Sequence, residues 1–144
     1  MISKIYVYKD NKRGRVTLVE RIFTGAASEK IAGYAKAVID GTTVYISGTT
    51  GRNKSTGQFP TNAGEQARNA LADIDEVLRN LGASLQNAVA SRVYVSDRTS
   101  AAEVTPVLGE LFANIRPTST FLICEIPVDG AKVEIEITAS LAAT

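Results

Sequence analysis

Histidine is missing from all 144 residues, and cysteine occurs once, at Cys124. Without an imidazole, Ser-His-Asp triads, Cys-His dyads, paired-histidine nuclease sites and the usual zinc hydrolase sites are impossible. A single thiol rules out an internal disulfide and any Cys-x-x-Cys redox or zinc motif, so Cys124 is expected to pack in a strand. Catalysis, if there is any, falls to carboxylates, Tyr, Ser, Thr, Arg, Lys, backbone groups or a bound water. Neither the Walker pattern nor Gly-x-Gly-x-x-Gly occurs, and no cofactor or metal is implied. The basic group Lys9, Lys12, Arg13 and Arg15 could contact phosphate, but a charged hairpin tip kept in water explains it as well.

The elements that must position these groups are clearest near the C-terminus. Lys132-Val-Glu-Ile-Glu-Ile-Thr-Ala139 alternates strictly, setting Val133, Ile135, Ile137 and Ala139 on one face of a strand and Lys132, Glu134, Glu136 and Thr138 on the other. The run before it, Pro117 to Pro127, is apolar on both parities: Phe121 and Ile123 on one, Leu122, Cys124 and Ile126 on the other. That pattern predicts a central strand, covered on each side by a helix or another subunit.

Upstream, residues 2–9 and 15–23 are β-branched and aromatic about a polar turn at 10–14, which reads as a hairpin. Residues 25–33 read as a loop, and Asp40-Gly41 as the turn of a second hairpin joining Tyr34–Ile39 to Thr43–Gly48. Residues 49–60 read as a surface loop. Asn62-Ala-Gly-Glu65 is a capping box that opens a helix with Ala67, Ala70, Leu71, Ile74, Val77, Leu78 and Leu81 inward, stopped by Gly82. Ala88–Ser96 alternates, with Val89, Val93 and Val95 facing one way and Arg92 and Tyr94 the other. Ser100-Ala-Ala-Glu103 is a second capping box, for a helix in which Pro106 should tighten or kink the first turns. The order of elements predicts an α+β fold, a mixed sheet with both helices on one face, in one domain of residues 1–144 with an additional hairpin at 1–23.

A composition of 44% hydrophobic and 22% charged residues fits an ordinary globular protein. The formal charge of +1 gives no broad positive field, so no nucleic-acid partner is expected. No unbroken apolar run is long enough for a signal peptide or a membrane span, which predicts a cytoplasmic protein.

Seven pieces in this order resemble the Rid family, also called YjgF or reactive-intermediate deaminase proteins and, in older naming, L-PSP endoribonucleases. They are Tyr34 with its following hairpin, Tyr45-Ile-Ser-Gly48, Asn80-Leu-Gly-Ala-Ser84, Val93-Tyr-Val-Ser-Asp97, Gly109-Glu-Leu-Phe112, Arg116-Pro-Thr-Ser-Thr120 and Val133-Glu-Ile-Glu136. The resemblance covers roughly residues 32–140. It implies a chorismate-mutase-like fold assembled as a homotrimer, with small-molecule sites in the clefts between subunits.

For the site, the resemblance implies Glu134 as the carboxylate that orients an attacking water, with Tyr34 and Ser47 as binding residues. It also implies a departure. The arginine that grips the substrate carboxylate in the active deaminases is replaced by Thr118, and an asparagine on the second helix by Thr105. A hydroxyl cannot imitate a planar, bidentate cation. Arg116, two residues before Thr118, would lie on the same face of an extended strand, displaced by about 6.6 Å, and is a candidate for binding an anionic group.

The sequence is therefore read as a Rid-like small-metabolite-binding protein, an imine or enamine deaminase of altered substrate range rather than a standard 2-iminopropanoate deaminase. A non-catalytic ligand sensor or structural partner is the alternative. The endoribonuclease reading is disfavoured by the missing histidines and near-neutral charge.

Overall fold

The computed structural model describes residues 4–10 and 17–142. Its strands are β1 (Lys4–Asp10), β2 (Thr17–Phe23), β3 (Ala37–Asp40), β4 (Thr43–Thr50), β5 (Ala88–Val95), β6 (Thr118–Ile123) and β7 (Val133–Ser140). They form one seven-stranded sheet in the order β1-β2-β3-β4-β7-β5-β6. Neighbours are antiparallel except β5 and β6, which are joined by a helix and run parallel. The sheet is therefore mixed, as the order of elements predicts. Both expected hairpins are present as strand pairs; residues 11–16, which include most of the first turn and Lys12, Arg13 and Arg15, lie outside the described residues.

The helices are α1 (Ala27–Ala32), α2 (Ala63–Asn80) and α3 (Arg98–Leu111). The two long ones share one face of the sheet: α2 lies over β4 and β7, and α3 packs beside it over β5. Leu71, Ile74 and Leu78 of α2 are fully buried against Val133, Ile135 and Ile137 of β7 and Val93 of β5. Three such side chains contribute on the order of 5–9 kcal/mol, comparable to the net stability of a whole domain, so packing rather than helix propensity holds α2 in place. Asn62 caps α2 by accepting from the Glu65 N–H at 3.0 Å.

Four expectations are corrected. Pro117–Pro127 does not supply a central strand. β6 is the sheet edge, exposed at every residue, and β7 is the interior strand, paired with both β4 and β5. Periodicity reports which faces are apolar, and β6 leaves both uncovered in the protomer.

Residues 25–33 are not only loop, since they hold α1, whose six residues are too few to show a periodic stripe. The cap of α3 is Asp97, whose Oδ1 accepts from the Ser100 N–H at 2.7 Å. Ser100 is buried inside the helix, and Glu103 instead accepts from the Ala63 N–H at 2.7 Å, satisfying a free donor at the start of α2. The fourth correction concerns Val89, which is exposed although Val93 and Val95 are buried, because a register shift between Ala88 and Ala90 breaks the alternation. Pro106 sits inside α3 on its solvent side, and the helix runs through it to Leu111.

Candidate functional site

Strict alternation in β7 places Glu134 and Glu136 on the face of the sheet opposite the helices. Glu134 lies across from Thr50 on β4 and Tyr94 on β5. Glu136 is held by Arg92 on β5, whose Nη1 donates to its Oε1 at 2.5 Å. Half-burial raises the pKa of Glu134 above the ordinary glutamate range. The neighbouring Glu136 charge adds to the rise, and the Lys36 ammonium opposes it. A carboxyl held in this way takes up a proton more readily than a solvated one, the property wanted in a general base that works on water.

Glu134 reaches this position because β4 bulges between Ile46 and Thr49 and presents Gly48 beneath it. A Cβ at Gly48 would overlap Oε1 of Glu134, so the missing side chain is what admits the carboxylate. Ser47, in the same bulge, donates from Oγ to the Ala35 carbonyl at 2.6 Å and so fastens β4 to the chain entering β3. Tyr34 is 39% exposed, and its hydroxyl is within 2.7 Å of Ser28 Oγ on α1.

Tyr34 and Gly48 also line a cavity of about 440 Å³ on the helix side of the bulge. Lys36, Thr49 and Asp73 lie in its wall. Lys36 is 8% exposed, donates from Nζ to Thr49 Oγ1 at 2.6 Å, and lies 3.7 Å from Asp73 Oδ2. Burial lowers its pKa below that of an ordinary lysine; Asp73 opposes the shift and Lys54 assists it. Lys54 forms ion pairs with both Asp73 and Glu76. The sequence reading missed this group. The signal available to it was a lysine between two alanines at the entrance to an apolar strand.

The remaining expected residues lie elsewhere in the protomer. Thr118 opens β6 in line with Ala90 and Thr138, four residues along the strand from Leu122, which is level with Tyr94 and Glu134. That is about 13 Å along the strand and about 10 Å across two strand spacings. Thr118 Oγ1 donates to the Val89 carbonyl at 3.3 Å. Thr105 is exposed on α3 and donates to the Ala101 carbonyl at 2.8 Å. Arg116 does not share an extended strand with Thr118. It sits before Pro117 at φ 53°, off the end of β6, and its Nε donates back to the Ala113 carbonyl at 2.8 Å. One protomer therefore gathers Glu134, Gly48, Ser47 and Tyr34 about the β4 bulge and leaves Thr118, Thr105 and Arg116 apart from them.

The family model described as Endoribonuclease L-PSP matches residues 24–141. The chain belongs to this family. A goat (Capra hircus) relative named 2-iminobutanoate/2-iminopropanoate deaminase is 33% identical over 126 residues, 85% of this chain and 91% of the relative. A Mycobacterium tuberculosis structure described as a member of the YjgF/YER057c/UK114 family superposes with a TM-score of 0.74 at 31% identity, covering 85% of this chain and 98% of that one. Escherichia coli TdcF with bound serine superposes at 0.67 with 25% identity, covering 74% and 87%. The L-PSP match begins just after β2, so β1 and β2 extend the sheet beyond the matched region. Among the described residues no helix is long and apolar enough to cross a membrane, and no cluster of acidic or sulfur ligands could hold a metal.

Proposed function

We propose that this L-PSP family chain hydrolyses small imines at a cleft completed by a neighbouring copy of itself in a homotrimer. The observation that carries this reading is Glu134: a half-buried carboxylate of raised pKa on the face of the sheet opposite α2 and α3, above a glycine that makes room for it. Glu134 accepts a proton from water as the water oxygen bonds to the imine carbon. The C=N electron pair moves to nitrogen, which takes the proton back from Glu134 to give a neutral carbinolamine. Glu134 then accepts the hydroxyl proton and passes it to nitrogen as the C–N bond breaks, releasing ammonia and a carbonyl product. Gly48 lies against the carboxylate, Ser47 precedes it in the bulge and Tyr34 lines the adjoining cavity, and Thr118, Thr105 and Arg116 of a second protomer face the carboxylate across the cleft.

Two features support a shared cleft. The second group of residues stands well away from the first in one protomer, and the edge strand β6 exposes Phe121, Leu122 and Ile123. An uncovered apolar edge of this kind calls for a partner. With Thr118 where a guanidinium would grip a carboxylate, the substrate range shifts away from 2-iminopropanoate toward imines that do not depend on a bidentate anion clamp.

The test generates imines from several amino acids with an L-amino-acid oxidase and follows their hydrolysis with and without this protein. Acceleration that is lost in Glu134→Gln is the expected result. If no imine is hydrolysed faster than in buffer, catalysis is overturned, and a non-catalytic ligand sensor becomes the better account of the same cleft.

A further inference from the structure

The cavity on the helix side of the β4 bulge holds a group that imine hydrolysis leaves unused. We infer that Lys36 is a carbonyl-capturing amine, forming a reversible imine with a small aldehyde or 2-oxo acid that enters the 440 Å³ cavity lined by Lys36, Thr49 and Asp73. This reading does not depend on Glu134 acting as a base.

Three observations support it. The first is position. The Lys36 side chain is almost wholly buried, yet it borders a cavity large enough for a compact metabolite. Its Nζ is fixed by Thr49 Oγ1, which itself donates to the Ser47 carbonyl at 2.9 Å and so offers Lys36 a lone pair.

The second is proton management. Asp73 Oδ2 lies 3.7 Å from Nζ, so a proton passes from the ammonium to the carboxylate, and back to the substrate oxygen, through one bridging water. Lys54 draws on the same carboxylate through Oδ1, which weakens its hold on Lys36. The third is the balance of burial and charge: desolvation outweighs the Asp73 attraction, so the uncharged, nucleophilic amine is favoured more than in a surface lysine.

The step balances without another reactant. Asp73 accepts a proton from Nζ, and the nitrogen lone pair bonds to the carbonyl carbon. The C=O pair moves to oxygen, which takes the proton from Asp73. The carbinolamine oxygen then leaves as water with a proton from nitrogen, giving a protonated imine on Lys36. Arg52 and Lys54 in the same wall are the cations that a 2-oxo acid carboxylate would meet.

The experiment treats the full chain near neutral pH with limiting glyoxylate or propanal plus cyanoborohydride, and maps the reduced adducts by peptide mass. Lys30, exposed on α1, and Lys54, whose pKa is raised by its bonds to Asp73 and Glu76, serve as internal controls. Lys36 should be labelled several-fold faster than either, because burial favours its neutral amine while the ammonium of Lys54 is held by two carboxylates. Labelling no faster than Lys30 overturns the inference in the wild-type chain, whatever any variant does.

Faster capture of glyoxylate than of propanal identifies a 2-oxo acid site, and equal rates identify an aldehyde site. Lys36→Arg should lose the adduct while keeping a charged side chain, and its unfolding curve reports whether the fold survives. Glu134→Gln removes a negative charge that acts on Lys36, so labelling should persist at the wild-type rate or faster while imine hydrolysis is lost; this separates failure of this site from failure of imine hydrolysis.

Discussion

At the scale of single residues, Glu134 sets activity against stability. Its pKa is raised on folding, chiefly by desolvation, so the charged form is the one the fold disfavours. The carboxylate therefore reduces stability at pH values above its raised pKa and takes nothing away below the ordinary glutamate pKa. Glu134→Gln is expected to raise the melting temperature at neutral pH, with the gain shrinking as pH falls through that window. The same change should lower imine hydrolysis by roughly 10²-fold or more, the usual contribution of a general base. Thermal unfolding at several pH values, run beside the oxidase-coupled assay, checks both. Thr118→Arg tests the missing cation. A charge-assisted bond of about 1.5–3 kcal/mol should raise kcat/KM for 2-iminopropanoate about 10- to 150-fold and leave uncharged imines little changed.

At the scale of elements, the β4 bulge joins the site to the fold, and Gly48 within it and Gly51 just after β4 should respond differently to one added methyl. At Gly48 the added Cβ meets the end of the Glu134 side chain, which can swing away. Gly48→Ala should therefore keep the fold and lose activity because the carboxylate is re-aimed. At Gly51 the added Cβ meets the backbone of Gln66 on α2, which cannot move alone. Gly51→Ala should destabilise by about 1–3 kcal/mol or more, read as a lowered denaturation midpoint.

Gln66 explains why α2 is fixed there. Its fully buried amide donates to the carbonyls of Pro60 and Gly130 and accepts from the Lys132 N–H, tying the helix to the loop before β7. Much at this scale was legible in sequence: the α2 stripe, the Asn62 cap and the alternation of β7 all follow from local periodicity. The α3 cap was misplaced because Ser100-Ala-Ala-Glu103 satisfies the capping pattern as well as Asp97 does. What decided between them was that Glu103 is drawn to the start of another helix.

At the scale of the whole molecule, the exposed apolar side chains lie where a partner would be needed. Leu122 is 51% exposed on the same face as Glu134, and Tyr45, also 51% exposed, shares that face on β4. Leu122→Glu is expected to shift the protein to smaller species by light scattering and to abolish imine hydrolysis with Glu134 intact. A wild-type protein that is monomeric at micromolar concentration would overturn the trimer.

By itself the sequence determined the class of the fold, the two helices on one face, the apolar side of β7 and the removal of all imidazole chemistry. Each of these depends on residue type or on periodicity within one element. Only the tertiary structure decided that β7 lies inside the sheet and β6 at its edge, that Arg116 turns away from Thr118, and that Lys36 meets Asp73 at a cavity wall. Strand order and the neighbours of a buried charge depend on contacts between segments far apart in the chain, and no local pattern encodes them.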